Sequence, residues 1–370
     1  MAARQAAALK PGTRVGEGRY QIQKMIGRGA FGITYRARNT VSGSDVAIKE
    51  YLPRANAHRT ANGTVQPLPG GRNAELFDIG KRVFLEETET LRSLPKQRGL
   101  VQVLAALRRR NTVCCVMEFV DGEELKTVVE RTLRHRPFIP ERTIRDLAVD
   151  IVSALHILHS EARLTHRDIK PANIMIRRAT GEPVLIDFGA ARPLDRHVEL
   201  PPLLTRSYAA LEQFNSDVTH YSSRMDVGPW SDLFSLSVVL YEMMSQGLPR
   251  PADERFATLR STGEDPYVPI RDNLARSGFD HDYSDELLDL IDAGCALHPQ
   301  DRPRSARLFL RRMGERLRVR KAGAQTGSAT PIVAPGQVTG IIADWTAELW
   351  RRGKLVIIAV AGATVIAAYA

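Results

Sequence analysis

The fold of this chain is decided by His166-Arg167-Asp168-Ile169-Lys170-Pro171-Ala172-Asn173, followed by Asp187-Phe188-Gly189. Asp168 and Asn173, five residues apart, offer a carboxylate that can orient a hydroxyl nucleophile and an amide oxygen that can bind a metal ion. Asp187 comes 19 residues after Asp168 and adds a charged oxygen ligand suited to Mg²⁺. Each part alone could be an ordinary turn, but the complete set in this order indicates a site that binds a metal ion and a hydroxyl nucleophile.

A glycine-rich segment, Ile26-Gly27-Arg28-Gly29-Ala30-Phe31-Gly32, lies upstream. Its spacing alone is weak evidence, and a strand pattern at 33–38 follows it, so a dinucleotide-binding unit, which needs a helix there, is disfavoured. A glycine-rich hairpin instead lets backbone N–H groups approach phosphates. The next strand, Val46-Ala47-Ile48-Lys49, carries a lysine that is placed to hold them.

The order of short patterns predicts the fold class. Strand-like runs fill the first 120 residues, at 20–26, 33–38, 45–50, 101–107 and 112–119, with one helical pattern at 84–94. The later chain is helical, with apolar residues at helical spacing over 144–158 and a long apolar run at 233–244. Without βαβ alternation, this order predicts an α+β fold of two lobes, an antiparallel-sheet N-lobe with one main helix and a mostly helical C-lobe.

Together these motifs resemble those of protein kinases, specifically the eukaryotic-like serine/threonine kinases of bacteria, over roughly residues 10–313. The resemblance implies ATP and Mg²⁺ (or Mn²⁺) as cofactors. It implies phosphorylation of serine and threonine hydroxyls on proteins, autophosphorylation included, in bacterial signalling. In such an enzyme Asp168 orients the hydroxyl, Lys170 neutralises charge on the transferring group, and Asn173 and Asp187 bind the metal.

The same resemblance implies a set of ATP-binding residues. Lys49 would hold the α- and β-phosphates with Glu87 as its partner, favoured over Glu86 because Leu91 follows one turn later. Met117 would form the inner wall of the adenine site, and the backbone around it would read the adenine edge. The full expected set is Ile26, Gly27, Gly29, Gly32, Thr34, Ala47, Lys49, Glu87, Met117, Glu118, Val120 and Met175.

Five residues are expected to support the site: Arg167, Thr205, Glu212, Asp232 and Arg302. On the resemblance, Glu212 pairs with Arg302, Asp232 braces the catalytic loop, and Thr205 with Lys170 forms the serine/threonine-type pattern.

The chain departs from the family pattern in four places. Thr34 stands where valine is usual, and Ala-Leu-Glu at 210–212 replaces Ala-Pro-Glu. Residues 51–80 form an insertion between Lys49 and its helix, expected to be a long loop. No Ser, Thr or Tyr occurs from 188 to 204, so we predict no phosphorylation switch in mid-segment, with Asp195 or Glu199 as an acidic partner for Arg167.

Composition and charge narrow the remaining readings. Hydrophobic residues at 43% and charged residues at 25% exclude a wholly disordered chain. Eleven Lys/Arg against three Asp/Glu between 304 and 354 carry most of the formal charge of +10, so the main domain is near neutral and no nucleic-acid partner is expected. Three cysteines cannot form a disulfide framework, and no Cys/His spacing matches a metal site.

The C-terminal segment differs from the rest of the chain in composition. Residues 355–370 are uncharged and mostly apolar, and they follow Trp350, Arg351, Arg352 and Lys354. This pattern predicts a transmembrane helix that anchors the chain in the inner (cytoplasmic) membrane, with the kinase-like domain in the cytoplasm. A buried C-terminal helix is the alternative.

The predicted organisation has five parts. Residues 1–19 are an N-terminal extension, and 20–321 form the kinase-like domain, with an N-lobe over about 20–119 and a C-lobe over about 120–321. A flexible linker at 322–340 and a juxtamembrane segment at 341–354 precede the apolar segment 355–370.

Two other function classes compete with an active protein kinase. A pseudokinase acting as a membrane-tethered scaffold is disfavoured because Lys49, Asp168 and Asp187 are all present. A kinase of small molecules is opposed by the intact segment 205–212, which in the family docks peptides. The sequence names no protein substrate and leaves open whether the chain dimerises.

Overall fold

The computed structural model describes residues 8–194, 205–214, 226–278 and 281–318, together with the backbone of 357–360 and 363–366. Its first part is a six-stranded antiparallel sheet in the order β1-β2-β3-β4-β8-β7. These strands are Arg14–Val15 (β1), Tyr20–Arg28 (β2), Gly32–Asn39 (β3), Asp45–Tyr51 (β4), Val103–Arg109 (β7) and Thr112–Glu118 (β8). The strand patterns of the sequence are therefore confirmed, with their ends shifted by one to two residues.

The described part of the predicted N-terminal extension packs with this sheet. Strand β1 pairs with β2, and Leu9 is buried with its backbone N–H donating to the Tyr35 hydroxyl at 3.0 Å. Leu9 and β1 thus pack with the N-lobe, and the boundary at residue 20 stays a prediction.

The insertion 51–80 is ordered and not a long loop. It contains a two-stranded hairpin, Ala57–Arg59 (β5) with Val65–Pro67 (β6), and the first turns of helix α1, Asn73–Ser93. Helix α1 begins 11 residues before the predicted pattern at 84–94 because Phe77 packs against Tyr51, 5.6 Å between ring centroids. The apolar face of its first half is completed by the insertion itself, which the sequence pattern does not reveal.

The second part of the molecule is mostly helical, as predicted. Its core is helix α3, whose apolar residues at 144, 147, 151, 155 and 158 are all buried. Helix α4 is buried on nearly all sides, as its apolar composition requires. The helices are Leu125–Leu133 (α2), Glu141–Ser160 (α3), Pro229–Ser245 (α4), Ala252–Thr262 (α5), Ile270–Ser277 (α6), Asp285–Gly294 (α7) and Ala306–Arg312 (α8).

Short strands between the two parts position the catalytic residues. The loop 166–173 runs from Leu164–Thr165 (β10) to Ile174–Arg177 (β11), and Asp187 follows Pro183–Leu185 (β12). Strand β11 pairs with both β12 and Gly122–Glu124 (β9), and β10 pairs with Arg192–Pro193 (β13). The loop 166–173 and the segment 187–189 therefore each follow a paired strand.

The apolar C-terminal segment differs from the predicted helix where it is described. Ile357–Val360 (β14) and Ala363–Ile366 (β15) pair as an antiparallel hairpin, consistent with the β-branched residues in both strands. Among the described residues, no helix has the length and apolar character needed to span a membrane. The rest of 355–370, the linker and the juxtamembrane segment lie outside the described residues, and their boundaries stay predictions.

Candidate active site

Asp168 is the centre of a dense hydrogen-bond network. Its carboxylate accepts from Lys170 Nζ at 2.8 Å, Asn173 Nδ2 at 2.9 Å and Thr205 Oγ1 at 2.7 Å. Lys170 Nζ also donates to Thr205 Oγ1 at 2.8 Å. The structure therefore brings four of the predicted residues together in one cluster, with a fixed carboxylate next to a cation and a hydroxyl. Such a carboxylate is held in one orientation, as general-base or hydroxyl-orienting chemistry requires.

The backbone of this loop is held by Asp232 at the start of α4. The two carboxylate oxygens of Asp232 accept the backbone N–H groups of His166 and Arg167, each at 2.8 Å, and His159 Nε2 lies 2.7 Å away. Burial alone would raise the pKa of Asp232, but its contact with His159 lowers it. The carboxylate stays ionised and can brace the loop, as the resemblance implied.

Two residues of the site have a left-handed backbone that L side chains rarely adopt. Arg167 and Asp187 both have φ of 65°. Such conformations cost about 1–3 kcal/mol each and persist where surrounding contacts impose them. At Arg167 these contacts are Asp232 on its N–H and Gln213 Nε2 on its carbonyl, at 2.9 Å.

His166 joins the two motifs. Its Nε2 donates to the carbonyl of Ile186 at 3.1 Å, and its Nδ1 accepts the Asp168 N–H at 3.4 Å. Burial lowers the pKa of His166, in agreement with a neutral ring that uses one nitrogen as donor and the other as acceptor. Its ring also meets Phe188 edge-on, with centroids 4.9 Å apart.

The expected ion pair between Glu212 and Arg302 is present and fully buried. Arg302 donates to the two carboxylate oxygens at 2.7 and 3.1 Å, and Ser231 Oγ donates to Glu212 at 2.6 Å. Arg302 also donates to the carbonyls of Ala296 and Leu297. Leucine in place of proline at 211 leaves this pair intact.

Lys49 does not pair with Glu87 as expected. Lys49 Nζ instead contacts Asp187 Oδ1, while Glu87 Oε1 lies 3.3 Å from Arg192 Nη1. Desolvation opposes ionisation of Asp187, but Lys49 and the Gly189 N–H lower its pKa to about 2. Burial raises the pKa of Glu87 to about 8 against the opposing charge of Arg192. In this fold each acid pairs with the cation nearest to it, Asp187 with Lys49 and Glu87 with Arg192.

Lys49 and Glu87 nevertheless line one cavity. The cavity lies under the sheet between β4, β8 and α1, and Met117, Phe188 and Gly189 border it as well. Its remaining lining residues are Phe84, Thr88, Leu91, Val103 and Cys115. Lys49, Glu87 and Met117, which the sequence predicted to bind ATP, thus line the same cavity as Phe188 and Gly189.

The glycine-rich segment forms the turn between β2 and β3. Gly29 has nothing within 4 Å of the position of a Cβ, whereas a Cβ on Gly32 would lie 1.8 Å from the carbonyl oxygen of Glu50. Gly32 is therefore required by close packing against β4, not only by approach to a ligand. Gly27 is paired with Thr34 across the turn, and Ile26 is 45% exposed.

The expected adenine-site residues lie on neighbouring strands. Ala47 on β4 is paired directly with Met117 on β8. Glu118 follows Met117, and its N–H donates to the Gln102 carbonyl at 2.9 Å while its carboxylate pairs with Arg177 at 2.7 Å. Met175 lies on β11 opposite Glu124 and Val184, and Val120 is buried.

Among the described residues, Arg167 lies next to Thr165 and Arg192. Its Nε donates to Thr165 Oγ1 at 3.0 Å, and burial together with the charge of Arg192 lowers its pKa to about 10. The predicted partners Asp195 and Glu199 lie outside the described residues, as does most of the segment predicted to lack a phosphorylation switch.

Three residues near the site were missed by sequence reasoning. Arg192 competes for Glu87, Gln213 fixes the Arg167 carbonyl, and Glu50 is buried directly after Lys49. Gln213 directly follows the segment 205–212 that the sequence singled out, so its position was available as a signal. Arg192 has no local pattern because its partner Glu87 is 105 residues away, and Glu50 has none because its partner Arg59 lies in the insertion.

Comparisons with known proteins agree with this geometry. The chain matches a family model described as protein kinase domain over residues 20–311. It is 26% identical over 328 residues to serine/threonine-protein kinase pkn3 of Myxococcus xanthus, which is 86% of this chain and 54% of that protein. It is 29% identical over 274 residues to serine/threonine-protein kinase PknA of Mycobacterium tuberculosis, which is 70% of this chain and 54% of that protein.

A solved structure described as PpkA-294 in its apo form has a TM-score of 0.65 and 29% identity, and the match covers 83% of this chain and 99% of that one. The chain spans about half the length of the Myxococcus and Mycobacterium relatives. The two-lobed α+β fold, the site geometry and the family match over 20–311 lead to one conclusion. The chain belongs to the protein kinase family, and it resembles the eukaryotic-like serine/threonine kinases of bacteria.

Proposed function

We propose that this chain transfers the terminal phosphoryl group of ATP to serine and threonine hydroxyls of proteins. The observation that carries the proposal is the Asp168 carboxylate, held by Lys170, Asn173 and Thr205. A substrate hydroxyl placed at this carboxylate would be oriented by Asp168, and the Lys170 ammonium would balance charge on the group in transfer. A bacterial signalling role and autophosphorylation are part of the same proposal.

The residues present fit a magnesium-bound nucleotide. Mg²⁺ commonly takes one or two protein oxygen ligands and completes its shell with phosphates and water. Asp187 supplies a carboxylate whose lowered pKa keeps it ionised, and the Asn173 Nδ2 is used by Asp168, which leaves the amide oxygen for a metal. Within the described residues, no group of three or more His, Cys, Asp or Glu could form a metal site without a nucleotide. Bound there, Mg²⁺ would supply charge neutralisation for the phosphates.

The adenine would lie between Ala47 and Met175 beside Met117. Because the Glu118 N–H is engaged by Gln102, the Glu118 carbonyl and the Val120 N–H are the backbone groups assigned to the adenine edge. The Lys49 ammonium contacts the Asp187 carboxylate in this structure. With a nucleotide bound, it would contact the phosphates instead. Glu87 would then take part in holding Lys49.

The test is phosphate transfer from radiolabelled ATP with Mg²⁺, using the purified full chain beside Asp168→Asn and Lys49→Ala. The acceptors would be the chain itself and a generic basic protein. Label on the wild type alone, recovered as phosphoserine or phosphothreonine, is the expected result. Absence of label with the fold and nucleotide binding intact would overturn the proposal in favour of a catalytically silent scaffold.

We also propose attachment to the inner (cytoplasmic) membrane, with the kinase domain in the cytoplasm. What supports it is the run of 16 uncharged residues at 355–370 behind Trp350, Arg351, Arg352 and Lys354. The full chain should sediment with membranes and resist an alkaline wash, whereas a chain ending at residue 354 should be released. Equal release of both would contradict this proposal and leave the catalytic one untouched.

A further inference from the structure

The insertion 51–80 is directly connected to the glycine-rich turn. Beyond the end of β4, the Leu52 N–H donates to the Phe31 carbonyl at 2.9 Å and the Arg54 N–H donates to the Ala30 carbonyl at 3.0 Å. The turn itself is closed by the Gly29 N–H on the Gly32 carbonyl at 2.9 Å. Both carbonyls at the tip of the turn are thus held by the first residues of the insertion.

The hairpin of the insertion is in turn fixed to the sheet. The Val65 N–H donates to the Arg110 carbonyl at 3.0 Å, and Asn111 Nδ2 donates to the Val65 carbonyl at 3.0 Å. The Leu68 N–H returns to the Asn56 carbonyl at 2.8 Å. Segment 52–67 therefore joins the turn between β2 and β3 to the turn between β7 and β8, which lie at the same end of the sheet on opposite sides of β4.

A buried ion pair links the hairpin to the strand that carries Lys49. Arg59 pairs with Glu50, and their side chains are 5% and 0% exposed. Glu50 also accepts from the Tyr35 hydroxyl at 3.1 Å, while its Oε1 has no hydrogen-bond partner among the described residues. An apolar pair would hold a hairpin at less desolvation cost, so a charged pair at this depth indicates a requirement for one fixed geometry.

The residue that Arg59 fixes is the one against which the turn packs. The carbonyl oxygen of Glu50 occupies the space of a Cβ on Gly32, and Glu50 is opposite Ile33 in the β3–β4 register. Lys49, the preceding residue, points to the other face of the sheet and into the cleft. Movement of Glu50 would therefore displace the glycine-rich turn that packs against its carbonyl oxygen.

We propose that segment 52–67 is a brace for the glycine-rich turn, and that Arg59 is its positioning residue, acting through Glu50 on the affinity for the nucleotide phosphates. This inference rests on the proposed function only where it is tested by KM and kcat for ATP. A turn held in place loses less conformational freedom when it closes on phosphates, so the brace lowers the nucleotide dissociation constant. It does not touch the acceptor hydroxyl, so it leaves the rate at saturating ATP nearly unchanged.

The experiment compares Arg59→Gln with Arg59→Lys and with the matched control Arg54→Gln in the full chain. Arg54 lies in the same segment but its side chain is exposed, and its backbone N–H is kept in the variant. The dissociation constant of Mg-ADP is measured by calorimetry well below the lowest melting temperature, and KM and kcat for ATP are measured in parallel. We expect Arg59→Gln to weaken Mg-ADP by about 5- to 20-fold with kcat within about twofold. Arg59→Lys should recover most of the loss, and Arg54→Gln should match the wild type.

A lowered melting temperature with an unchanged Mg-ADP constant would overturn the inference, because it would make the ion pair merely structural. If Arg59→Gln does not fold, Glu50→Gln keeps the shape and the Tyr35 contact and takes its place. Hydrogen exchange on the wild type gives a second answer without any variant: the Leu52 and Arg54 amides should exchange as slowly as those of β4. Exchange as fast as in exposed loops would contradict the brace. If the chain transfers no phosphate, the Mg-ADP and exchange results still decide this inference, so the two failures are distinguishable.

Discussion

The catalytic loop and the Lys49 side of the cleft face each other, yet they are built in different ways. The side-chain partners of Asp168 lie within 37 residues of it in sequence, and all three are residues that the sequence singled out. Across the cleft, Lys49 reaches Asp187 over 138 residues and Glu87 reaches Arg192 over 105 residues. There the expected pair is exchanged for two others. Short-range motifs fix their own geometry, whereas long-range ion pairs follow the relative placement of separate elements.

Removing the carboxylate of the catalytic loop should have the largest effect on this comparison. Asp168→Asn keeps the side-chain shape but loses the negative charge between Lys170 and Thr205. We expect kcat to fall by about 10²–10⁴-fold with little change in nucleotide affinity. Steady-state kinetics and Mg-ADP calorimetry measure the two quantities. A variant with near wild-type kcat would exclude Asp168 from the chemistry.

Breaking the buried ion pair between Glu212 and Arg302 should lower the free energy of unfolding. Arg302→Met leaves Glu212 buried without its cation, which is expected to lower the free energy of unfolding by about 3–5 kcal/mol. The control is Arg271→Met, because Arg271 is 42% exposed and pairs with exposed Asp285 and Asp289. That change should cost less than about 1 kcal/mol in urea unfolding. Equal losses for the two variants would contradict the difference in burial.

Removing Arg192 should change which acid pairs with Lys49. In Arg192→Met, Glu87 loses its paired cation, and Lys49 becomes the nearest replacement in the cavity. We expect KM for ATP to fall by about two- to fivefold at a pH above the pKa of Glu87, where its carboxylate is ionised and can hold the lysine, and to change little near pH 7, where Glu87 is protonated. Arg92→Met, on the exposed face of α1, is the control. A rise in KM would mean that Arg192 supports the nucleotide site instead of competing with it.

The raised pKa of Glu87 gives a smaller, pH-dependent effect. The folded chain keeps a proton on Glu87 up to about pH 8, whereas in the unfolded chain the same group ionises near its ordinary value of 4.5. Between these values the folded state binds more protons, so stability falls as pH rises, by at most about 1.4 kcal/mol per pH unit for a single proton. Glu87→Gln should flatten this part of the profile in urea unfolding from pH 5 to 8. Parallel profiles for both proteins would contradict a protonated Glu87.

Much of the site was predictable because its chemistry is local. The loop 166–173, Asp187 with its glycine, and the strand lysine are short patterns whose residues must be adjacent in order to act together. The strands of the N-lobe were also predictable, since alternation and glycine turns define them within a few residues. Helix α1 was only half predicted because Phe77 faces Tyr51, a residue of the insertion.

The family, the two-lobed order and the identity of the residues around Asp168 could all be inferred from the amino-acid sequence. Each of those follows from residue types at fixed short spacing, where backbone geometry leaves few alternatives. The tertiary structure alone decided that Lys49 pairs with Asp187, that Arg192 holds Glu87, and that Arg59 is buried against Glu50. These are choices among several charges of similar kind, and they depend on distances of a few ångströms between elements that no sequence spacing specifies.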